Sequence, residues 1–161
     1  MRYHDIQKCD LLNGSGIRVT LFVAGCNHYC KGCQNPITWN PNEGVIFDEQ
    51  AKQEIYTELD NKWCKGVTFS GGDPLYPENR EAITSFAKEL KEKYPEKDIW
   101  LYTGYLYENI YDLEVMQYVD VLVDGEFKEE LKDVNYPWAG STNQRVINVK
   151  ESREHGKIKL L

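Results

Sequence analysis

Apolar and polar residues follow one another along the chain in short blocks of two kinds. Ile17–Ala24 (IRVTLFVA) is a nearly unbroken, β-branched apolar run that stops at Gly25, which predicts a buried strand. Ala51, Ile55, Leu59 and Trp63 recur every four residues, so residues 48–63 predict a helix with Asp48 as its N-cap. Gly66–Ser70 (GVTFS) predicts a second strand, ending in Gly71-Gly72-Asp73-Pro74. Within Glu78–Tyr94, Ile83, Phe86, Ala87, Leu90 and Tyr94 share one helical face, and Pro95 closes the helix. Asp98–Thr103 (DIWLYT) predicts a third strand before Gly104, and a weaker helical pattern covers Glu108–Tyr118. Val119–Asp124 (VDVLVD) predicts a fourth strand, ending at Gly125, with Arg145–Lys150 (RVINVK) a candidate fifth.

Strand-like runs separated by helical segments describe βαβ units, hence an α/β fold with a mostly parallel sheet. The glycine-bearing turns fall at the C-terminal ends of the predicted strands, the rim where α/β sheets bind ligands. No repeat, linker or low-complexity tract divides the 161 residues, so 1–161 is read as a single domain. At 41% hydrophobic and 28% charged, the chain can bury a core without disulfide staples. Its net charge of -7 argues against binding a phosphate backbone, so no nucleic acid is expected as partner. No stretch approaches the roughly 20 apolar residues that span a bilayer. Met1–Asp10 includes Arg2, His4, Asp5, Lys8 and Asp10 and has no apolar secretory core. A cytoplasmic protein without a membrane partner is therefore expected.

The five cysteines are unevenly spread. Cys26-Asn-His-Tyr-Cys30-Lys-Gly-Cys33 is a C-x3-C-x2-C loop placed directly after the first predicted strand. Three thiolates so close can converge on a metal centre, with Gly25 and Gly32 easing the backbone around it. A structural zinc site closes with four ligands, as does an iron–sulfur cube. Cys9 and Cys64 lie at no motif spacing and are read as ordinary thiols, and His28 as an exposed loop residue. Three cysteines with no evident fourth favour a cube with one open iron, although spacing alone leaves zinc in play. Trp39, Trp63, Trp100 and Trp138 are read as core or interface anchors, with an interface or lid role also open for Trp39. The run Lys88–Lys97 is read as a solvated helix face and its exit.

Taken together, the cysteine loop and Thr68-Phe-Ser-Gly-Gly-Asp-Pro-Leu75 resemble the signature of the radical S-adenosylmethionine superfamily. Further segments are similar to the activases of anaerobic ribonucleoside-triphosphate reductase, a family of glycyl-radical-enzyme activators. They are Val23-Ala-Gly-Cys26, Cys33-Gln-Asn-Pro36, Thr38-Trp39-Asn40, Trp100–Tyr105, Val119–Gly125 and Gly140-Ser-Thr-Asn-Gln-Arg145. The likeness runs from about Asp10 to Arg145. Two positions depart from the wider superfamily: the turn reads Gly-Gly-Asp in place of Gly-Gly-Glu, and Gly32 stands where many relatives have an aromatic ring.

The resemblance implies a short, partial (open) β/α barrel of the radical SAM type. It implies a [4Fe-4S] cluster on Cys26, Cys30 and Cys33, whose open iron chelates the amino and carboxylate groups of S-adenosyl-L-methionine. One-electron cleavage then yields methionine and a 5′-deoxyadenosyl radical, which takes a hydrogen atom from a glycine of the reductase catalytic subunit. A low-potential donor such as a flavodoxin supplies the electron, and no catalytic residue is implied beyond the cluster and S-adenosylmethionine. Gly71 and Gly72 are implied to face the methionine ammonium, with Asp73 adding charge or ordering the turn. The backbone of Gly32 and Gln34 is assigned to the nucleoside, Asn35 and Thr103 to the same rim, and Asp124 to the ribose. The Gly140–Arg145 stretch is left open between ligand and partner protein. Two rival readings are kept: a small radical enzyme with a small-molecule substrate, such as a carboxy-deazaguanine synthase, and a zinc-bound interaction module.

Overall fold

The computed structural model describes Met1–Leu161. In chain order its elements are β1 (Arg2–Asp10), β2 (Arg18–Val23), β3 (Val45–Ile46), α1 (Glu49–Leu59), β4 (Gly66–Gly71), α2 (Arg80–Lys93), β5 (Asp98–Tyr102), β6 (Val121–Asp124), β7 (Arg145–Asn148) and α3 (Val149–His155). All seven strands form one sheet in the order β3-β1-β2-β4-β5-β6-β7. β2, β4, β5 and β6 run parallel. β1 and β7 flank them antiparallel, and β3 pairs antiparallel with β1. The expected α/β fold with a mostly parallel sheet is present, as a mixed sheet that stays open. Successive parallel strands always step to the next place in the same direction, which under the right-handed crossover rule gathers the connections on one face.

That face is the main core. Val19, Leu21 and Val23 of β2, Val67 and Phe69 of β4, and Ile99 and Leu101 of β5 pack with Ile55 and Leu59 of α1 and Ile83, Phe86, Ala87 and Leu90 of α2. Burying each large apolar side chain contributes about 1.5–3 kcal/mol. Asp48 caps α1, its carboxylate accepting from Ala51 N–H at 2.9 Å. Phe86 sits against Phe47 and Phe69, with ring centroids 5.1 and 5.9 Å away. No helix is long and apolar enough to cross a membrane.

Three features differ from the sequence pattern. Glu108–Tyr118 is not an α-helix but two 3-10 turns, Tyr107–Asn109 and Glu114–Gln117, separated by an extended Leu113. At about 100° per residue, one continuous helix would spread Tyr107, Ile110, Val115 and Met116 around its whole circumference. Two separate turns let all four be buried. β1 was not apparent because Arg2, His4, Asp5, Gln7 and Lys8 are polar; it forms by pairing along the free edge of β2. The expected fifth strand ends at Asn148, whose side chain instead caps α3 by accepting from Glu151 N–H at 3.1 Å.

The opposite face of the sheet is partly polar, buried at Arg18, Thr20, Thr68 and Trp100 and half-buried at Phe22, Ser70 and Tyr102. Arg18 is fully enclosed: it donates to Thr68 Oγ1 at 2.8 Å, Val67 O at 3.0 Å and Ser15 O at 2.9 Å, pairs with Asp98, and lies 5.3 Å over the Trp100 ring. Asp10, also buried, accepts from Leu12 N–H at 2.7 Å, Asn13 Nδ2 at 2.6 Å and Thr20 Oγ1 at 2.6 Å. Burial alone would raise its carboxyl, but these hydrogen bonds outweigh burial and hold it below the ordinary carboxylate value. Asp10 thereby pins the loop after β1 across this face.

Asp10→Ala should lower stability at pH 7 by about 1–3 kcal/mol in denaturant titrations, since it orphans buried donors. A depressed folded pKa means this contribution is present above the unfolded value near 3.8 and is lost as pH falls through the lower folded value. The gap between Asp10→Ala and the native protein should therefore narrow in acid. A gap that does not vary with pH would contradict the charge-assisted role.

Candidate functional site

β2 leaves the sheet at Val23 and turns through Gly25, at φ +107, into the cysteine loop. The loop closes on its own exit, with Gly25 N–H donating to Thr38 O at 2.7 Å and Cys26 N–H to Trp39 O at 3.1 Å. Inside it Tyr29 and Gly32 take positive φ. Gly32 sits against Glu129, whose Cδ would lie 2.8 Å from an added Cβ. Cys33 Sγ accepts from Asn35 N–H at 3.4 Å. Cys26, Cys30 and Cys33 all line one cavity of about 690 Å³.

Burial, with the Asp73 charge adding to it, pushes the Cys26 thiol up to about 11, and burial raises Cys30 as well. Backbone N–H groups of His28 and Tyr29 on the Cys26 sulfur, and of Phe127 on the Cys30 sulfur, pull the other way. Donors aimed at sulfur favour thiolate once a cation balances the charge. Three thiols lining one cavity are a donor set that fits three corners of an iron–sulfur cluster. Neither Cys9 nor Cys64 lines the cavity: Cys9 is exposed, and Cys64 is buried with its thiol toward Gly66 O.

The Gly-Gly-Asp turn stands directly against the start of this loop. β4 ends at Gly71, at φ +103, and an added Cβ there would lie 2.4 Å from Val23 N. A Cβ on Gly72 would lie 2.5 Å from Gly25 O. Gly72 N–H donates to Val23 O at 2.8 Å and Asp73 N–H to Gly25 O at 2.7 Å. Side chains are thus excluded where the turn faces the loop. Asp73 is 1% exposed. Its Oδ2 accepts from Thr103 Oγ1 and Gly104 N–H, both at 2.9 Å, and meets His28 Nε2 at 2.7 Å, while Oδ1 accepts from Leu75 N–H at 2.8 Å. Of its two expected roles, ordering the turn is the one this geometry displays.

Gln34, Asn35, Gly71, Gly72, Asp73 and Thr103 line the same cavity as the cysteines, whereas Gly32 and Asp124 do not. Asp124, expected at the ribose, is fully buried, accepting from Tyr107 N–H at 2.8 Å and from Arg145 Nε at 3.0 Å. The expectation of an exposed His28 is corrected. Its side chain is only 9% exposed, with Nδ1 3.0 Å from Glu126 Oε1 and Nε2 on Asp73. The Asp73 hydrogen bond, opposed by burial, raises its pKa. The Gly140–Arg145 segment braces neighbouring backbone: Gln144 binds Gly140 N–H, Ser141 N–H and Gly125 O, and Asn143 binds Glu126 O. Trp39 forms part of the wall, edge-to-face with Tyr29 at 5.2 Å.

The pattern of the sequence did not single out Leu11, Leu12 or the 132–138 loop as cavity walls. That loop is held by Tyr102 Oη donating to Trp138 O at 2.6 Å and by the Trp100–Trp138 contact at 5.3 Å. It has no regular element, so periodicity could not reveal it.

A family model described as a 4Fe-4S single cluster domain matches residues 12–147. Proteins named anaerobic ribonucleoside-triphosphate reductase-activating protein are similar over nearly the whole chain. The one from Enterobacteria phage T4 is 47% identical over 91% of this chain and 93% of its own length. That from Haemophilus influenzae is 42% identical over 93% and 99%, and that from Escherichia coli K12 is 40% identical over 93% and 100%.

Gly71→Ala should cost about 1–3 kcal/mol from backbone strain alone, and more from the collision with Val23. Thermal unfolding of the variant should show the loss; an unchanged melting temperature would contradict the tight approach.

Proposed function

The chain belongs to the family of anaerobic ribonucleoside-triphosphate reductase-activating proteins, and on that premise we propose that it activates its reductase by radical cleavage of S-adenosylmethionine at a [4Fe-4S] cluster. The observation that carries this reading is the single cavity shared by the three thiols of Cys26, Cys30 and Cys33 and the side-chain-free Gly71-Gly72 turn. The cysteines would hold three corners of the cluster and leave the fourth iron to S-adenosylmethionine. The Gly71-Gly72 turn offers bare backbone to the methionine end, while Gln34 and Asn35 offer polar groups for the rest of the molecule, and Thr103 lines the same wall with its hydroxyl bound to Asp73. When bound and reduced, the cluster supplies the electron that splits S-adenosylmethionine and so generates the radical that abstracts hydrogen from a glycine of the reductase.

What the protein itself does is position and shield. Asp73, deep under the turn, fixes it to Thr103 and Gly104 at the end of β5, so that cluster loop and turn keep one relative placement. Arg145 and Asp124 lock β7 to β6 beneath the rim. The open mixed sheet fits a partial β/α barrel of the radical SAM type, whose unclosed side admits a glycine-bearing segment of a protein substrate. In this reading residues 1–161 act as one cytoplasmic domain, and a low-potential donor such as a flavodoxin supplies the electron. No side chain beyond the cluster ligands needs to react.

Anaerobic reconstitution with iron and sulfide should give a brown protein that releases 5′-deoxyadenosine from S-adenosylmethionine on reduction. Added reductase subunit should acquire a glycyl radical signal in electron paramagnetic resonance. Cys30→Ala should reduce 5′-deoxyadenosine formation to about one hundredth or less of the native rate, together with loss of cluster absorbance. Turnover surviving in Cys30→Ala would contradict the mechanism.

A further inference from the structure

We infer that His28 is a positioning residue for this reaction, bracing the Gly71-Gly72-Asp73 turn against the cysteine loop and so holding the S-adenosylmethionine site in place beside the cluster. The inference rests on the functional reading above.

The backbone hydrogen bonds that join the turn to β2 and its exit end at Gly25, one residue before the first cysteine. Beyond that point, the hydrogen-bonding link from Cys26–Cys33 to the turn is the His28 side chain. Its Nε2 lies 2.7 Å from Asp73 Oδ2, the same oxygen that receives Thr103 and Gly104. Its Nδ1 lies 3.0 Å from Glu126 Oε1, beyond β6. One imidazole therefore ties the cysteine loop to the turn, to the end of β5 and to the segment after β6.

The ring is enclosed on its other sides. Tyr105 meets it edge-on at 4.7 Å, and Gly104 leaves it room, since a Cβ there would lie 2.6 Å from His28 Cδ2 and Nε2. The two carboxylate contacts are unequal. Asp73 is 1% exposed, so its bond to His28 is little screened, whereas the Glu126 side chain is 54% exposed and faces water. The Asp73 side therefore holds the loop to the turn. Both ring nitrogens are engaged, so His28 acts on the cluster site through the turn rather than as a ligand.

Three variants of the full chain, reconstituted anaerobically, test this. Gln places its amide nitrogen near the position of Nε2 and keeps the Asp73 bond; Asn reaches the Nδ1 position and keeps only Glu126. His28→Gln should bind S-adenosylmethionine within about two-fold of the native protein in equilibrium dialysis. His28→Asn and His28→Ala should bind about ten-fold or more weakly. All three should keep the native iron content. The change that S-adenosylmethionine induces in the spectrum of the reduced cluster should need correspondingly higher concentrations in the Asn and Ala variants. Native affinity in His28→Ala, rescue by Asn in place of Gln, or iron loss that tracks the weakened binding would each overturn the inference. A native chain that fails to bind S-adenosylmethionine would instead overturn the proposed function.

Discussion

The site depends on the parallel register of β2 and β4, which sets Val23 opposite Gly71 at the ends of two neighbouring strands. One strand releases the cysteine loop and the other the Gly-Gly turn, so both begin within hydrogen-bonding distance of each other. The backbones then approach so closely that Gly72 admits no side chain and Gly71 must also take a left-handed φ. A slip of one residue would turn every side chain of β4 to the other face and separate the two turns. The hydrophobic core of Leu21, Phe69, Leu101 and Phe86 thus does more than stabilise the protein, because it fixes the register that assembles the site.

Below the rim, buried carboxylates keep the loops in position. Asp73 gathers the turn, Thr103, Gly104 and His28, and Asp124 gathers Tyr107 and Arg145. On the far end of the same face, Asp10 holds the loop that lends Leu11 and Leu12 to the cavity. Each carboxylate is surrounded by donors, which is how a buried charge is tolerated. The thiols follow the opposite logic: burial raises Cys26 and Cys30, so each stays neutral until a bound cation balances its thiolate charge.

Much of this was legible in the amino-acid order. The run of Ile17–Ala24, the fourfold spacing of α1 and the apolar face of α2 marked their elements to within a few residues, because core burial imposes period. The cysteine spacing and the paired glycines located the rim. What escaped was tertiary. β1 exists because β2 has a free edge, the two 3-10 turns exist because four apolar side chains must reach one face, and Asp124 is engaged by Tyr107 and Arg145, which no local pattern announces. His28 looked like a surface residue because nothing local announces Asp73, 45 positions further along the chain.

The central claim is that three loop cysteines alone hold the cluster and leave one iron free for S-adenosylmethionine. Replacing the two remaining cysteines together, Cys9→Ala with Cys64→Ala, and measuring iron and sulfide per chain after anaerobic reconstitution tests it most directly. The account predicts about four irons and four sulfides per chain, as in the native protein, with S-adenosylmethionine still bound. Loss of the cluster in that doubly substituted chain, or zinc in place of iron, would contradict it.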